Sequence, residues 1–401
     1  MSHPDKLKFD TICVMENNDI GQGTPHVLPI HATSAFSFEN IDDSIDVFSG
    51  KKEGYVYSRF GNPTIQSVQD KLRKLECLNI EQEGFCVMTS SGLSAISTLT
   101  TTLLKPGDKL LTHANLYGGT TEIFMKMLQR YGIEVHLVDL ENLEKVKAKI
   151  KTIKNIKLLY CETPSNPTMS CIDLEGLCAL ASEYNILSAV DNTFSTSYLQ
   201  QVFTKGADFV VYSTTKFLNG HGNSIAGAII GKDLNYKKKV WESMKLLGTN
   251  CNAFDAWLVH NGLKTLALRM ERHCDNALAI AEYLTQHPKV KLVNYPGLKD
   301  NKYHQIAAKQ MYKFGGMLSF EITGGFNAGK SFMNNTKLCS ITSTLGNTDT
   351  LLLHPASSSH LNVPQALREA NGIGDGLVRI SVGIENKEDL INDMAQALDT
   401  V

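Results

Sequence analysis

The run Asp208-Phe-Val-Val-Tyr-Ser-Thr-Thr-Lys216 reads as an apolar strand that ends in hydroxyls and one amine. Val210 and Val211 favour a strand, and Ser213, Thr214 and Thr215 put donors where it runs out, the usual place for ligands in an open α/β sheet. Lys216, partly desolvated there, can lose its proton and condense with a carbonyl, the role of a Schiff-base lysine. Upstream, the apolar stretch Ile186 to Val190 stops at Asp191, followed by Asn192 and Thr193. Taken alone, Asp191 reads as a helix cap or turn residue. Further upstream, Phe85 to Met88 leads into Thr89-Ser-Ser-Gly-Leu-Ser-Ala-Ile96, a strand, a small-residue turn and a helix start. Such a turn offers backbone N–H groups to an anion, and Gly92 lets the backbone come close. Many α/β turns look like this, so its weight comes from the order of the parts: anion turn, acid, amine.

An acid and a lysine closing separate strands match the two electronic contacts of pyridoxal phosphate. An aspartate keeps the pyridine nitrogen protonated, and the lysine holds the aldehyde. Other stretches continue the pattern: Tyr55-Val-Tyr-Ser-Arg-Phe-Gly-Asn-Pro-Thr64, Ser91-Gly92, Leu116-Tyr-Gly-Gly-Thr120, Glu162-Thr-Pro-Ser-Asn-Pro167, Val190-Asp-Asn-Thr193, Ser213-Thr-Thr-Lys216, Asn219-Gly-His221 and Gly376-Leu-Val-Arg-Ile-Ser-Val-Gly383. In this order, over nearly the whole chain, they resemble the Cys/Met-metabolism group of pyridoxal phosphate enzymes. That group includes methionine γ-lyase, cystathionine γ-lyase and γ-synthase, and O-acetylhomoserine sulfhydrylase.

The resemblance implies fold type I, a homotetramer built as a dimer of dimers, and a set of roles. Lys216 would carry the cofactor and move protons; Asp191 would hold the ring nitrogen; Tyr117 would stack on the ring, where two following glycines leave room. Ser91, Gly92, Leu93, Ser213 and Thr215 would hold phosphate, joined by Tyr57 and Arg59 of a neighbouring subunit, with Tyr57 also acting in catalysis. Asn166 would lie near the cofactor's phenolic oxygen, and Thr344, a serine in most relatives, would line the substrate site. Arg379 stands inside the apolar strand Leu377 to Val382, so if it points inward it needs an anion, and a substrate carboxylate suits its fork. Within the group, Arg269-Met-Glu-Arg-His-Cys274, Tyr295-Pro-Gly-Leu298, Gly315-Gly-Met-Leu-Ser-Phe-Glu321 and His354-Pro-Ala-Ser most resemble methionine γ-lyases. Gly119 departs from the cysteine usual there, Leu246 from an aspartate, and the segment His221 to Gly227 leans toward sulfhydrylases. The expected reaction is α,γ-elimination from methionine or cystathionine; γ-replacement on O-acetyl- or O-succinylhomoserine is the alternative, since both use the same residues.

The elements that must position these residues fall into three spans. Residues 1–63, punctuated by Gly21, Gly23, Pro25 and Pro29, read as an arm lying on a neighbouring subunit. From 64 to 247 strand-like runs (Lys109 to Thr112, Val135 to Val138, Ile156 to Tyr160, Ala226 to Ile230) alternate with helical ones, predicting a wound, mixed α/β sheet. From 248 to 401 a helical stretch over Ala256 to Gln286 precedes strands at Met317 to Ile322 and Val378 to Val382, a smaller α+β unit. A 401-residue chain is long enough for two cores. Net charge is −2, from 39 basic and 41 acidic residues, which gives no electrostatic case for nucleic acid or a membrane surface and leaves a small-molecule substrate. The nine cysteines, without a CxxC pair, fit reduced thiols. No apolar run of about 18 residues and no apolar signal core after Met1 are present, so a cytoplasmic protein is expected.

Gly324-Gly-Phe-Asn-Ala-Gly-Lys-Ser331 fits the phosphate-loop pattern GxxxxGK[ST] between an apparent strand and a helix, so a nucleotide hydrolase is a competing reading. Against it, Leu351-Leu-Leu ends in His354 rather than an aspartate, and too little chain follows for the rest of a parallel sheet. The twelve histidines show no metal spacing; His221, His354 and His360 flank site-like segments and read as structural. Cys171, Cys178, Cys274 and Cys339 are expected inside helical or strand patterns as small core residues.

Overall fold

The structure, a computed structural model, describes residues 7–15, 25–361 and 363–401. Gly21, Gly23 and the segment Met1 to Lys6 lie outside the described residues. The first sheet contains β1 (Phe85–Thr89), β2 (Lys109–Thr112), β3 (Glu134–Leu137), β4 (Ile156–Glu162), β5 (Leu187–Asp191), β6 (Phe209–Ser213) and β7 (Gly227–Gly231). Its order is β1-β7-β6-β5-β4-β2-β3; β7 runs antiparallel to both neighbours and the other pairings are parallel, so the sheet is wound and mixed, as expected.

Helices cover both faces, which is why the strands are apolar throughout rather than alternating with polar residues. Phe209 and Val211 of β6 enter one core with Tyr160 and the helix Gly92–Leu103, whereas Val210 and Tyr212 enter another with Cys161, Val190 and the helix Pro63–Glu76. Side-chain caps start the helices: Asn62 Oδ1 accepts from Thr64 N before Pro63–Glu76, Ser91 Oγ from Ser94 N before Gly92–Leu103, and Asn252 Oδ1 from Asp255 N before Ala253–Leu263. Gly248, at φ 69°, terminates Lys237–Leu247.

The second sheet contains β8 (Val290–Asn294), β9 (Met317–Ile322), β10 (Ser340–Ile341), β11 (Leu351–Leu353) and β12 (Leu377–Ser381), in the order β10-β11-β12-β9-β8. Leu318 and Phe320 of β9 and Val378 and Ile380 of β12 bury one face against the helices Leu266–Gln286 and Lys387–Asp399. The period of two then sends Ser319 and its register partner Arg379 to the opposite face. Ser319 Oγ donates to Pro167 O at 2.8 Å, joining this face to the loop after β4.

Several expectations need correction. The helical stretch over Ala256 to Gln286 is two helices, Ala253–Leu263 and Leu266–Gln286. At their junction a Cβ on Gly262 would stand 2.1 Å from Asn219 O, so the chain breaks where it meets the loop after Lys216. Gly329, Lys330 and Ser331 lie inside the helix Gly325–Asn335, and Ser331 Oγ donates to Thr400 O at 3.2 Å, so the phosphate-loop pattern forms no phosphate loop. Cys171 and Cys339 sit in connecting segments rather than in helices or strands, although all nine cysteines are buried and unpaired.

Arg269, on the long helix, is buried and donates to Phe217 O (2.7 Å), Leu218 O (3.3 Å) and Gly262 O (2.8 Å). Replacing it with methionine would remove those donors, leaving Gly262 O with Thr265 N and Oγ1. Arg269→Met is expected to destabilise the cofactor-free protein by about 3 kcal/mol, read as a lower urea midpoint; a change below about 0.5 kcal/mol would mean that this clamp does not hold the loop.

Candidate active site

Because β4, β5 and β6 are parallel neighbours, their C-terminal ends open on one edge and bring together Glu162, Asp191 and Ser213. Asp191 Oδ1 accepts from Thr193 N at 3.0 Å and Oδ2 from the Tyr160 hydroxyl at 3.3 Å. Desolvation of the carboxyl raises its pKa above the ordinary range, although those donors pull the other way.

After β6 the backbone turns at Thr214 and Thr215, with Gly220 N donating to Lys216 O at 2.8 Å. Lys216 Nζ donates to Thr344 Oγ1 at 2.9 Å. Burial, helped by the positive charge of Arg379, lowers the lysine pKa from 10.5 to about 8, so neutral amine exists near neutral pH. Thr344 O in turn accepts from Arg379 Nη2 at 2.9 Å, while Nη1 donates to Asn166 Oδ1 at 3.3 Å and Nε has no partner. Arg379 is only 3% exposed, and among the described residues no carboxylate pairs with it. A buried guanidinium without an anion is unfavourable by several kcal/mol, so the arrangement is complete only with a negatively charged ligand.

An anion cradle lies where the helix Gly92–Leu103 meets β6. A Cβ on Gly92 would stand 2.7 Å from Ser213 Cβ, so only glycine lets the helix start touch the strand end. The Gly92 and Leu93 amides belong to the first helical turn, where no intrahelical acceptor exists, and Ser91 caps it. Ser213 stands beside them, its amide donating to Thr193 Oγ1 at 2.9 Å. Thr215 Oγ1 donates to Ala226 O (3.2 Å) and accepts from Ala226 N (3.1 Å), so an anion there competes with Ala226 for the hydroxyl hydrogen. The Tyr117 side chain is 51% exposed and leans on Gly119, where a Cβ would stand 2.8 Å from Tyr117 Cε1 and 2.9 Å from Leu93 Cδ1.

Tyr57 and Arg59 are not drawn into this group within the chain. Arg59 Nη1 donates to Lys245 O at 2.7 Å, and its guanidinium covers the Tyr57 and Phe60 rings. Two of the flanking histidines meet backbone carbonyls: His354 Nε2 lies 2.7 Å from Asp375 O, and His221 Nδ1 lies 2.7 Å from Asn219 O.

Glu162 belongs to the motif Glu162 to Pro167, and the sequence alone assigns it no role. Glu162, at the end of β4, is buried and accepts through Oε2 from Tyr117 N (2.8 Å) and through Oε1 from Asn166 N (3.3 Å). Its own amide donates to His113 Nε2 at 3.1 Å, which fixes that nitrogen as an acceptor. An acid closing the apolar run Ile156 to Cys161 was the available signal. Together these residues fit pyridoxal phosphate: a glycine-gated amide cradle, an exposed tyrosine ring, an acid at a strand end, and an amine beside a buried, anion-hungry arginine.

The sequence profile of the Cys/Met metabolism PLP-dependent enzyme family matches residues 10–399. The chain is 46% identical over 376 residues to an L-methionine gamma-lyase of Fusobacterium nucleatum subsp. polymorphum, covering 93% of each chain. It is 37% identical over 390 residues to an O-succinylhomoserine sulfhydrylase of Pseudomonas aeruginosa, covering 97% of this chain and 95% of that one. The crystal structure of cystathionine gamma-lyase from Lactobacillus plantarum complexed with L-serine superposes with a TM-score of 0.90 at 32% identity, covering 98% of this chain and 99% of that one.

If Lys216 is the amine that takes up pyridoxal phosphate, only its neutral form would condense and pH would decide how fast cofactor-free protein is loaded. The rate, followed by visible absorbance, is expected to rise with pH and level off with a midpoint near 8. A midpoint at the ordinary lysine value of 10.5 would show an unperturbed amine.

Proposed function

The chain belongs to the Cys/Met metabolism PLP-dependent enzyme family, and from that premise we propose that it is a carbon–sulfur lyase that breaks down methionine or cystathionine by α,γ-elimination. Water is consumed, and 2-oxobutanoate, ammonia and a thiol leave. The observation that carries this reading is the 46% identity, over 93% of both chains, to a protein named L-methionine gamma-lyase; the amine and the arginine bonded to the same Thr344, with the acid at a neighbouring strand end, support it.

When bound, pyridoxal phosphate supplies an aldehyde for the substrate amine and a protonated ring that takes up the electron pair released at the substrate Cα. Everything else falls to side chains. Asp191 keeps the ring nitrogen protonated, Tyr117 covers the ring, and the Gly92 and Leu93 amides with Ser91, Ser213 and Thr215 hold the phosphate. Arg379 grips the substrate carboxylate, with Asn166 and Thr344 fixing its fork through the bonds seen at Oδ1 and at the Thr344 carbonyl. Lys216 would remove the Cα proton and return protons along the chain, for which a pKa near 8 is well placed. Tyr57, from a neighbouring subunit, protonates the departing sulfur, and Arg59 comes with it to the phosphate.

That last assignment assumes a homotetramer built as a dimer of dimers. Residues 1–63 form its arm, 64–247 the cofactor domain and 248–401 the C-terminal domain. In support, the arm helix Ile41–Phe48 buries none of its residues, leaving Ile41 73% and Phe48 66% exposed. Among the described residues no helix is long and apolar enough to cross a membrane, and nine buried, unpaired cysteines support a reducing, cytoplasmic setting. A second reading, γ-replacement on an activated homoserine, has the sulfhydrylase relative in its favour.

The deciding experiment gives purified, cofactor-loaded protein methionine, cystathionine or O-acetylhomoserine in parallel, with and without sulfide, and follows 2-oxobutanoate. Ketoacid from methionine or cystathionine is expected, with none from Lys216→Ala. Activity confined to the homoserine ester, with sulfide diverting it to homocysteine, would replace the lyase reading with replacement. Arg379→Ala is expected to raise the amino-acid KM about 100-fold with a smaller fall in kcat, and an unchanged KM would remove Arg379 from the carboxylate site.

A further inference from the structure

Two carboxyl-bearing residues close adjacent parallel strands in direct register, Glu162 on β4 and Asp191 on β5. Parallel register puts both side chains on the same face of the sheet, with backbones about 4.8 Å apart. Among the described residues neither meets a lysine, arginine or histidine cation; their partners are three backbone amides, the Tyr160 phenol and the Thr193 hydroxyl. Around the pair stand His113, whose Nε2 accepts a hydrogen bond and is therefore not charged there, and the Tyr160 and Thr193 hydroxyls. Two acids together in a desolvated place are stable only if they share a proton or receive a cation.

Glu162 also links parts of the site far apart in sequence. One oxygen fixes the amide of Tyr117, the residue whose ring is exposed to the cleft; the other fixes the amide of Asn166, whose side-chain oxygen accepts from Arg379. No cofactor or substrate group is needed for these contacts, so Glu162 acts through its neighbours. Building on the functional reading above, we propose that Glu162 is the positioning residue of this site: it sets the Tyr117 ring and the Asn166–Arg379 grip together, and its carboxyl beside Asp191 strengthens the preference of Asp191 for a cationic ring nitrogen. Consistent with this, burial and the neighbouring Asp191 raise the Glu162 pKa to about 8, as expected of a pair lacking its cation.

The proposal separates Glu162 from a residue that merely fills space. Glutamine has the same shape, and a neutral amide is easier to bury than an unpaired carboxylate, so Glu162→Gln is expected to leave the thermal midpoint of the cofactor-free protein at or above that of the parent. The amide has one acceptor oxygen for two N–H donors and lacks the charge. Titration of cofactor-free protein with pyridoxal phosphate, followed by fluorescence quenching, is therefore expected to give a dissociation constant higher by about tenfold or more. The visible circular dichroism of the bound cofactor is expected to fall, and the amino-acid KM to rise more than kcat falls. Glu162→Asp, which keeps the charge but is too short for both amides, serves if the glutamine variant does not fold; it should retain more affinity while losing dichroism. Variants matching the parent in affinity, dichroism and KM would overturn the role of Glu162 alone. A parent protein that binds no pyridoxal phosphate would overturn the functional reading beneath it.

Discussion

Among the described residues, Lys216 and Arg379 lie buried with no carboxylate beside them, and Asp191 and Glu162 close β5 and β4 with no cation beside them. Left to themselves, opposite charges in a desolvated space collapse into ion pairs, and each would then be useless to a ligand. The fold prevents this by rooting the groups in different rigid elements. The acids belong to the parallel core of the first sheet, the amine to the turn after β6, and the guanidinium to the middle of β12. Neutral groups fill the gaps between them: the Thr344 hydroxyl against the amine, the Asn166 amide against the guanidinium, and the Tyr160 phenol against Asp191. The unsatisfied Arg379 Nε, the raised Asp191 pKa and the lowered Lys216 pKa follow from one arrangement, buried charges left without opposite charges among the described residues.

Glycines enter this arrangement at points of contact rather than for flexibility. Gly92 brings helix amides against Ser213, Gly262 lets a helix meet the Asn219 carbonyl, and Gly220 (φ 74°) leaves room for the Arg269 guanidinium. Each contact is closer than any side chain allows, and each one fixes an element that bears on the cleft.

Legibility from sequence followed the range of the interaction. Lys216 and Asp191 could be found because each closes an apolar strand, a pattern contained within a few residues, and Arg379 because it interrupts one. The mixed sheet was readable from alternation, while the two-residue β10 carries too little pattern to register. The role of Glu162 was not readable, because its partner amide at Tyr117 lies 45 positions away and an amide has no side-chain signature. Nor was the contact between Lys216 and Thr344, 128 positions apart and made by a loop. The break before Leu266 did leave a mark, Gly262 in an otherwise helical run, but only the packing explains why the helix stops there. The Gly-Lys-Ser pattern misleads for the opposite reason: its residue types are right, yet its backbone donors are already taken up within a helix.

The helix Leu266–Gln286 holds the loop after Lys216 through Arg269 near its start, and one to two turns later His273 Nδ1 lies 2.6 Å from Val382 O while Asn276 Nδ2 donates to Gly383 O at 3.0 Å. Amine loop and arginine strand are thus mounted on a single bar. Under the proposed function the helix would be a fixed gauge for the span between substrate nitrogen and carboxylate, a span that is the same in every α-amino acid, so the gauge by itself would not tell one member of that class from another. Discrimination by side chain must then come from parts not bolted to the bar, and a change of specificity can arise there without disturbing the chemistry that the bar holds in place.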